Sequence, residues 1–349
     1  MGRRIILLGP CPPPYGGVAI FTSGLFEFVR DYGVELWSEG LEKTPNTRPT
    51  NYRRLGLVPL LLTRGRRARI VDSYHFLLEY PNPLMVPIWV ALKLVLRFEW
   101  IKVVHDGSLP SRYHAFSSLQ RMLFRLSMRS VDEFVTVNDN IGQFLRNEIG
   151  VRRTVRTVNA LLPIPAVEPK PLPPELESAL KRYDKVVVST GVFIPSYGFA
   201  PVADAVETIR RESGKNIGLV LIDGAFIRDE AYREMVLRQR DWITELERVK
   251  HPQVLQIFKR SDVFVRGFRY EGYGLSRIEA IWCGIPVIAA KGEESRGILI
   301  YDFEDTEALL VHLRNVLADS DSRDIAHWAA VFQSEAEENL ERWKEILEV

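Results

Sequence analysis

Apolar positions along the chain fall into short unbroken runs, and between the runs they recur every three or four residues. "RRIILLGP" opens the series as a continuous run stopped by Gly9-Pro10, the mark of a strand covered on both faces. A proline-rich loop with Gly16-Gly17 follows, and then a helical pattern through "VAIFTSGLFEFVRDYG". "RIVDSYHFLL", "EWIKVVHDG" and "VDEFVTVND" read as further strands, with helical "PLMVPIWVALKLVLRF" between the first two and "NIGQFLRNEIG" after the third. Strands alternating with helices argue for βαβ units and a parallel sheet.

"LLPIPAVEPKPLPPEL" carries six prolines between Leu161 and Leu176. Proline removes a backbone donor and fixes φ, so the stretch reads as a semi-rigid linker rather than an element interior. Beyond it the alternation restarts. "DKVVVSTG", "NIGLVLIDG", "SDVFVRG" and "IPVIAA" read as strands. "FAPVADAVETIRRESG", the charged "DEAYREMVLRQRDWITELERVK" and "LSRIEAIWCG" read as helices, and "HWAAVFQSEAEENLERWKEILEV" as a helical tail. The expected organisation is two doubly wound α/β domains, at 1–165 and 166–325, with a terminal helix over 326–349. Ligands of open α/β sheets sit at the carboxyl ends of the strands, so the expected site is a cleft between the two domains.

Composition narrows this only slightly. With 46% hydrophobic and 26% charged residues the 349-residue chain is an ordinary globular protein. Cys11 and Cys283 lie far apart in unrelated contexts and suggest neither a disulfide framework nor a metal site, which points to a reducing cytoplasm. The apolar run at residues 5–8 is too short for a signal-peptide core, and the stretch over 83–98 is interrupted by Pro87, Lys93 and Arg97. Charge is divided unevenly. Residues 1–165 hold 22 Lys and Arg against 13 Asp and Glu, and the remainder holds 24 against 32. In "SSLQRMLFRLSMRS", Arg121, Arg125 and Arg129 recur every four residues beside Leu119, Met122, Leu123 and Leu126. Such a basic amphipathic helix is either an ordinary solvated face with its apolar side in the core or a contact for an anionic surface. A cytoplasmic protein with peripheral membrane contact through its basic first domain stays open on this pattern. Nucleic acid is not expected, because no matching domain motif accompanies the basic residues.

The densest chemistry lies in "GFRYEGYGLSRIEAIWCGIPVIAA" at 267–290. Gly272 and Gly274 permit a tight turn into a helix, and a helix N-terminus favours an anion. Glu271 stands at the exit of the preceding strand. On a helix of 3.6 residues per turn, Glu279 points back toward the turn and shares a small, partly apolar strip with Cys283. Paired carboxylates can accept hydrogen bonds from sugar hydroxyls or stabilise positive charge at an anomeric centre. At other strand ends, Gly16-Gly17 would let a backbone approach a ligand, although the G-x-G-x-x-G pattern is missing. His105, in "VVHDG", can bond a hydroxyl or stabilise charge.

The stretch 267–290 resembles the E-x7-E signature of retaining, nucleotide-sugar-dependent glycosyltransferases of the GT-B fold, family four. The match runs through Arg269, Glu271, Gly272, Gly274, Leu275, Glu279, Ala280, Cys283, Gly284, Pro286, Val287, Ile288 and Ala289. "PPPYGGVA" is similar to that family's glycine-rich first loop, "VVHDG" to its His-Asp strand end, and "VVVSTGVFIPSYGFAPVADA" to the start of its second domain. "VRTVNALLP" resembles, more loosely, its Asn-Gly element, and nearly the whole chain is covered. The resemblance implies two Rossmann-like domains facing each other across a cleft, with the terminal helix crossing back to the first. It implies a metal-independent hexosyltransferase without cofactor, acting on a nucleotide sugar and a glycan or lipid-linked acceptor. Glu271 would contact the donor sugar, Glu279 the ribose, and His105 the transferred sugar. Gly16 and Gly17 would approach phosphate or acceptor, and the diphosphate would rest on the turn of Gly272, Tyr273, Gly274 and Leu275. Base recognition would fall near 242–254.

One departure stands out. The family's second domain opens with an Arg and a Lys that neutralise the leaving diphosphate, an electrostatic task worth roughly 10²–10³ in rate per lost donor. Here those positions are Val192 and Tyr197. Ser196 and Tyr197 can hydrogen-bond phosphate without charge. Substitute cations near in sequence are Arg269, Arg266, Arg277, Lys259 and Arg296. A donor with a single phosphate, or a binding protein with little or no turnover, are the alternatives. A metal-dependent reading through Asp319-Ser320-Asp321 is disfavoured, because that stretch is not at a strand end.

Overall fold

The structure, a computed structural model, describes residues 3–13, 15–38, 50–51, 57–74, 85–164, 172–225, 227–318 and 324–349. The chain forms two compact units, 1–162 with 337–349, and 163–336. The prolines at 165–171 and the acidic pair at 319–321 lie outside the described residues.

In the first unit seven strands form one sheet. They are β1 (Ile5–Leu8), β2 (Glu35–Ser38), β3 (Thr50–Asn51), β4 (Arg69–Asp72), β5 (Glu99–Val104), β6 (Glu133–Thr136) and β7 (Thr154–Thr157). Their order is β3-β2-β1-β4-β5-β6-β7, all parallel. The order reverses between β1 and β4, so the loops after these two strands meet at a switch point. Burial of β1, β4 and β5 on both faces explains their unbroken apolar runs.

The helix Ile325–Leu347 contributes residues to both units. Within the first unit its C-terminal half docks by specific contacts. Trp343 is fully buried; its ring lies 4.9 Å from that of Phe21, and its Nε1–H donates to the carbonyl of Asn159 at 3.2 Å. Asn339 Nδ2–H donates to Asn159 Oδ1 at 2.6 Å, and Arg69 Nε–H donates to the carbonyl of Ile346 at 2.9 Å.

The second unit holds six parallel strands: β8 (Lys185–Gly191), β9 (Ile217–Asp223), β10 (Ile243–Glu247), β11 (Val263–Arg266), β12 (Val287–Ala290) and β13 (Ile298–Tyr301). Their order is β10-β9-β8-β11-β12-β13. Here the reversal falls between β8 and β11. Its core packs the helix Phe199–Ser213 and the helix Thr306–Leu317 on one face through Phe199, Val202, Val206, Leu309 and Leu313.

Both units are α/β and doubly wound, as the periodicity implies. The stretch 229–250, expected to be one charged helix, is instead a helix over Glu230–Leu237 and the edge strand β10. Gln239 takes a left-handed conformation at φ 59° just past the helix, and Ile243–Glu247 then pairs in parallel with β9 as a half-buried edge strand. Among the described residues of "RIVDSYHFLL" the strand is limited to Arg69–Asp72.

Candidate active site

The second unit's switch point is built from two loops whose backbones touch. The loop after β8 runs through Val192 and Phe193 into a short turn, Pro195–Tyr197, and ends at Gly198. Gly198 has φ +70°, and a Cβ there would fall 2.6 Å from the carbonyl oxygen of Gly267, in the loop after β11. Only glycine combines that conformation with that approach. The N–H of Arg269 donates to the carbonyl of Ser196 at 2.9 Å, and the rings of Tyr197 and Phe268 stack 4.1 Å apart. The two loops are thus held together by backbone and aromatic contacts.

The positions of the missing cations are now explicit. Val192 is fully buried in the unit's interior. Tyr197 lies against Phe268 with the Arg266 guanidinium 5.2 Å from both ring centres. Neither position presents a positive charge, but Arg266, at the end of β11, brings one to the same place. Its Nε–H donates to Glu271 Oε2 at 2.8 Å and its Nη1–H to the carbonyl of Thr190 at 2.5 Å. The two side chains are 13% and 9% exposed, so the ion pair is largely screened from water. Burial opposes ionisation of Glu271, but Arg266 and then Arg277 outweigh it and hold the carboxyl below the usual range. The pair favours the ionised form of Glu271.

The turn itself places Gly272 and Tyr273 in buried positions and Gly274 at φ +81°, capping the helix Leu275–Trp282. That helix has no side-chain cap and no acidic residue in its first turn, so its first N–H groups keep their capacity for an anion. Of the other arginines, Arg269 is half-exposed, ion-paired to Glu304 and 5.0 Å from the ring centre of Phe303. Arg296 is bound to Glu294 and Glu335. Arg277 is fully buried inside the helix.

Glu279 is also buried, but it is not surrounded only by an apolar strip. His251 Nε2 lies 2.7 Å from its Oε1. His251 opens the helix His251–Phe258 and comes from the 242–254 region. Burial lowers the pKa of His251, yet the charge and hydrogen bond of Glu279 outweigh that and raise it above the ordinary value. Nothing in the sequence around His251 marks it; a lone histidine before Pro252 has no motif. The raised pKa has a consequence for stability. The imidazolium's contribution is fully present below the unfolded value, near 6.5, and is lost as pH rises through the higher folded value. Denaturant unfolding from about pH 6 to about pH 9 is expected to show wild-type protein losing more stability than His251→Gln, and parallel curves contradict the pairing.

In the first unit, Gly16 is the N-cap of the helix Gly17–Val29, which has no side-chain cap. Gly17 has open space where a Cβ would be and no left-handed φ, so steric need does not explain it. Phe21, one turn on, packs its ring 5.0 Å from that of His105, which follows β5. The glycine pair and His105 therefore belong to one neighbourhood of that unit.

Among the described residues, Asp223, Glu245 and Glu247 form the one acidic trio with mutually close carboxylates. Arg228 already sits among them, with Nε 3.0 Å from Asp223 and Nη2 2.6 Å from Glu247, and Arg233 Nε donates to Glu245 at 2.8 Å. Among the described residues no helix is long and apolar enough to cross a membrane.

The chain is similar to several known proteins. Residues 176–326 match the family model "Glycosyl transferases group 1". The chain is 23% identical over 266 residues to spore coat protein SA of Bacillus subtilis (strain 168), covering 69% of each. It is 24% identical over 160 residues to O-antigen chain mannosyltransferase B of Escherichia coli, covering 44% of this chain and 42% of the relative. Among solved structures, Anabaena HepE in complex with UDP and glucose superposes with a TM-score of 0.76 at 13% identity, covering 99% of this chain and 100% of that one. Sucrose-phosphate synthase from Thermosynechococcus elongatus gives 0.67 at 18% identity, covering 99% and 96%. The chain has the GT-B fold, and its residues 176–326 are similar to glycosyl transferases group 1.

Proposed function

We propose that the protein moves a sugar from a nucleotide-diphosphate donor to a hydroxyl acceptor, retaining the anomeric configuration and using no metal. The observation that carries this reading is the Arg266–Glu271 pair at 2.8 Å, set at the β8–β11 switch point beside an uncapped helix N-terminus. In this reading the bond between the anomeric carbon and the β-phosphate oxygen breaks, and that oxygen leaves with the electron pair. The acceptor oxygen bonds to the same face of the anomeric carbon, and its proton passes to the departing phosphate. Glu271 accepts hydrogen bonds from the donor sugar's hydroxyls and favours positive charge at the anomeric carbon. Glu279 takes the ribose and His105 the transferred sugar. The names of the relatives support this: one is a mannosyltransferase, and the HepE structure holds UDP and glucose.

A panel of nucleoside diphosphates and nucleotide sugars tests the reading by thermal shift, since a ligand at about 100 times its Kd stabilises by about 2.7 kcal/mol. Donor turnover that persists in EDTA is expected for the best binder. No shift with any nucleoside diphosphate overturns the reading. Binding without turnover favours the second reading, a sugar-nucleotide-binding protein, which the buried Val192 and the engaged Tyr197 support.

The acceptor side is assigned to a lipid-linked or glycan hydroxyl at an anionic membrane surface. The helix Ser118–Ser130 buries Leu123, Phe124 and Met128 but exposes Leu119, Met122 and Leu126 among Arg121, Arg125 and Arg129. The helix Met85–Leu96 packs against it and exposes Leu94 and Val95. Exposed apolar side chains interleaved with cations suit a lipid interface better than a core. The protein is expected to co-sediment with phosphatidylglycerol vesicles and not with phosphatidylcholine vesicles, and Leu119→Ser with Met122→Ser to weaken this about tenfold. Equal binding to both vesicles contradicts the assignment.

A further inference from the structure

Arg277 is a cation buried without adequate partners. Its side chain has no exposed surface. Of its five N–H groups, Nη2 donates to the carbonyl of Tyr273 at 3.0 Å, while Nε and Nη1 have no hydrogen-bond partner among the described residues. Two carboxylates face it and neither bonds it. Glu271 Oε2 accepts its hydrogen bond from Arg266, and both oxygens of Glu294 accept from Arg296. A buried guanidinium left in this state costs free energy unless something else meets it.

Its position says what that would be. A Cβ on Gly274, the helix cap, would fall 2.7 Å from Arg277 Cζ, and a Cβ on Gly292, just past β12, would fall 2.9 Å from Nη1. Two glycines therefore open a slot in which the guanidinium lies directly behind the turn. It stands where the uncapped N-terminus of the helix Leu275–Trp282 already favours negative charge, and in a site of low polarisability its charge acts strongly over a short distance.

We propose that Arg277 holds the donor's diphosphate at this turn, supplying from inside the helix the positive charge that Val192 and Tyr197 do not supply. The assignment rests on the sugar-transfer reading above. Arg266 is committed to Glu271 and Thr190, whereas Nε and Nη1 of Arg277 have no hydrogen-bond partner among the described residues. The role suits arginine, whose planar fork offers parallel donors to phosphate.

The experiment compares wild-type protein, Arg277→Met and Arg277→Lys, each checked for folding by circular dichroism, by calorimetry with UDP, GDP and ADP and with the matching monophosphates. For the diphosphate that wild type binds best, Arg277→Met is expected to weaken binding about 30- to 100-fold and Arg277→Lys to recover part of the loss. Monophosphate affinity is expected to change by less than about threefold, because the second phosphate is what the cation meets. If wild type binds no nucleoside diphosphate, the sugar-transfer reading fails and takes this assignment with it. If wild type binds but Arg277→Met binds equally well, or loses both nucleotides equally, only the assignment fails. If neither variant folds, the wild-type Nε–H resonance of Arg277 decides: a shift with slower solvent exchange on adding the diphosphate supports the assignment, and no change overturns it.

Discussion

Glu271→Gln is expected to lower turnover of the nucleotide-sugar donor by about 10²- to 10³-fold, with little loss of nucleoside-diphosphate affinity. The replacement keeps shape and removes charge. In the proposed reaction the carboxylate acts on positive charge that develops only as the anomeric bond breaks, so its loss falls on kcat rather than on binding. Removing a negative charge beside a phosphate site does not weaken an anion's attraction, and can raise it. The substitution also leaves Arg266 with a neutral partner in a largely buried place, so some loss of thermal stability accompanies it. Measuring kcat, KM, diphosphate affinity and Tm on the same preparation separates the effects. Turnover within about threefold of wild type would remove Glu271 from the chemistry, whatever the protein's stability.

Trp343→Ala is expected to cost about 3–5 kcal/mol of stability in the first unit. The side chain is fully buried, its ring packs on Phe21, and its Nε1–H meets the Asn159 carbonyl. Truncation removes a large apolar surface by which the terminal segment docks, together with the indole's hydrogen bond to that carbonyl. Phe21 in turn loses the neighbour on one side while keeping His105 on the other. Thermal unfolding followed by tryptophan fluorescence and circular dichroism measures the cost, and a loss below about 1 kcal/mol contradicts the packing described.

What could be read from the sequence follows the physics of each element. Strands buried on both faces, such as Ile5–Leu8 and Lys185–Gly191, leave unbroken apolar runs that need no structure to find. Edge strands leave weaker marks. Thr154–Thr157 alternates exposed and half-buried residues within a charged stretch, and Ile243–Glu247 follows a helix of similar composition. The turn at 271–275 was legible because its glycines and carboxylate occur in a dense local pattern. His251 was not legible as a site group, and Arg277 was legible only as one of five candidate cations. One meets Glu279 through tertiary packing, 28 residues away. The other is set apart from the remaining candidate cations only when Gly274 and Gly292 are seen to open a slot for it.

The division of the helix Ile325–Leu347 bears on how the protein is made. The first unit consists of residues 1–162 and 337–349, with the whole second unit between them in sequence. A ribosome therefore releases the seven-stranded sheet early but delivers Asn339 and Trp343 only after the second unit has been synthesised. Until then the Phe21 ring lacks its contact with Trp343, and Asn159 lacks the hydrogen bonds that Asn339 and Trp343 donate to it. The unit begun first is completed last, and its nascent form is the stage at which a chaperone would find apolar surface to hold.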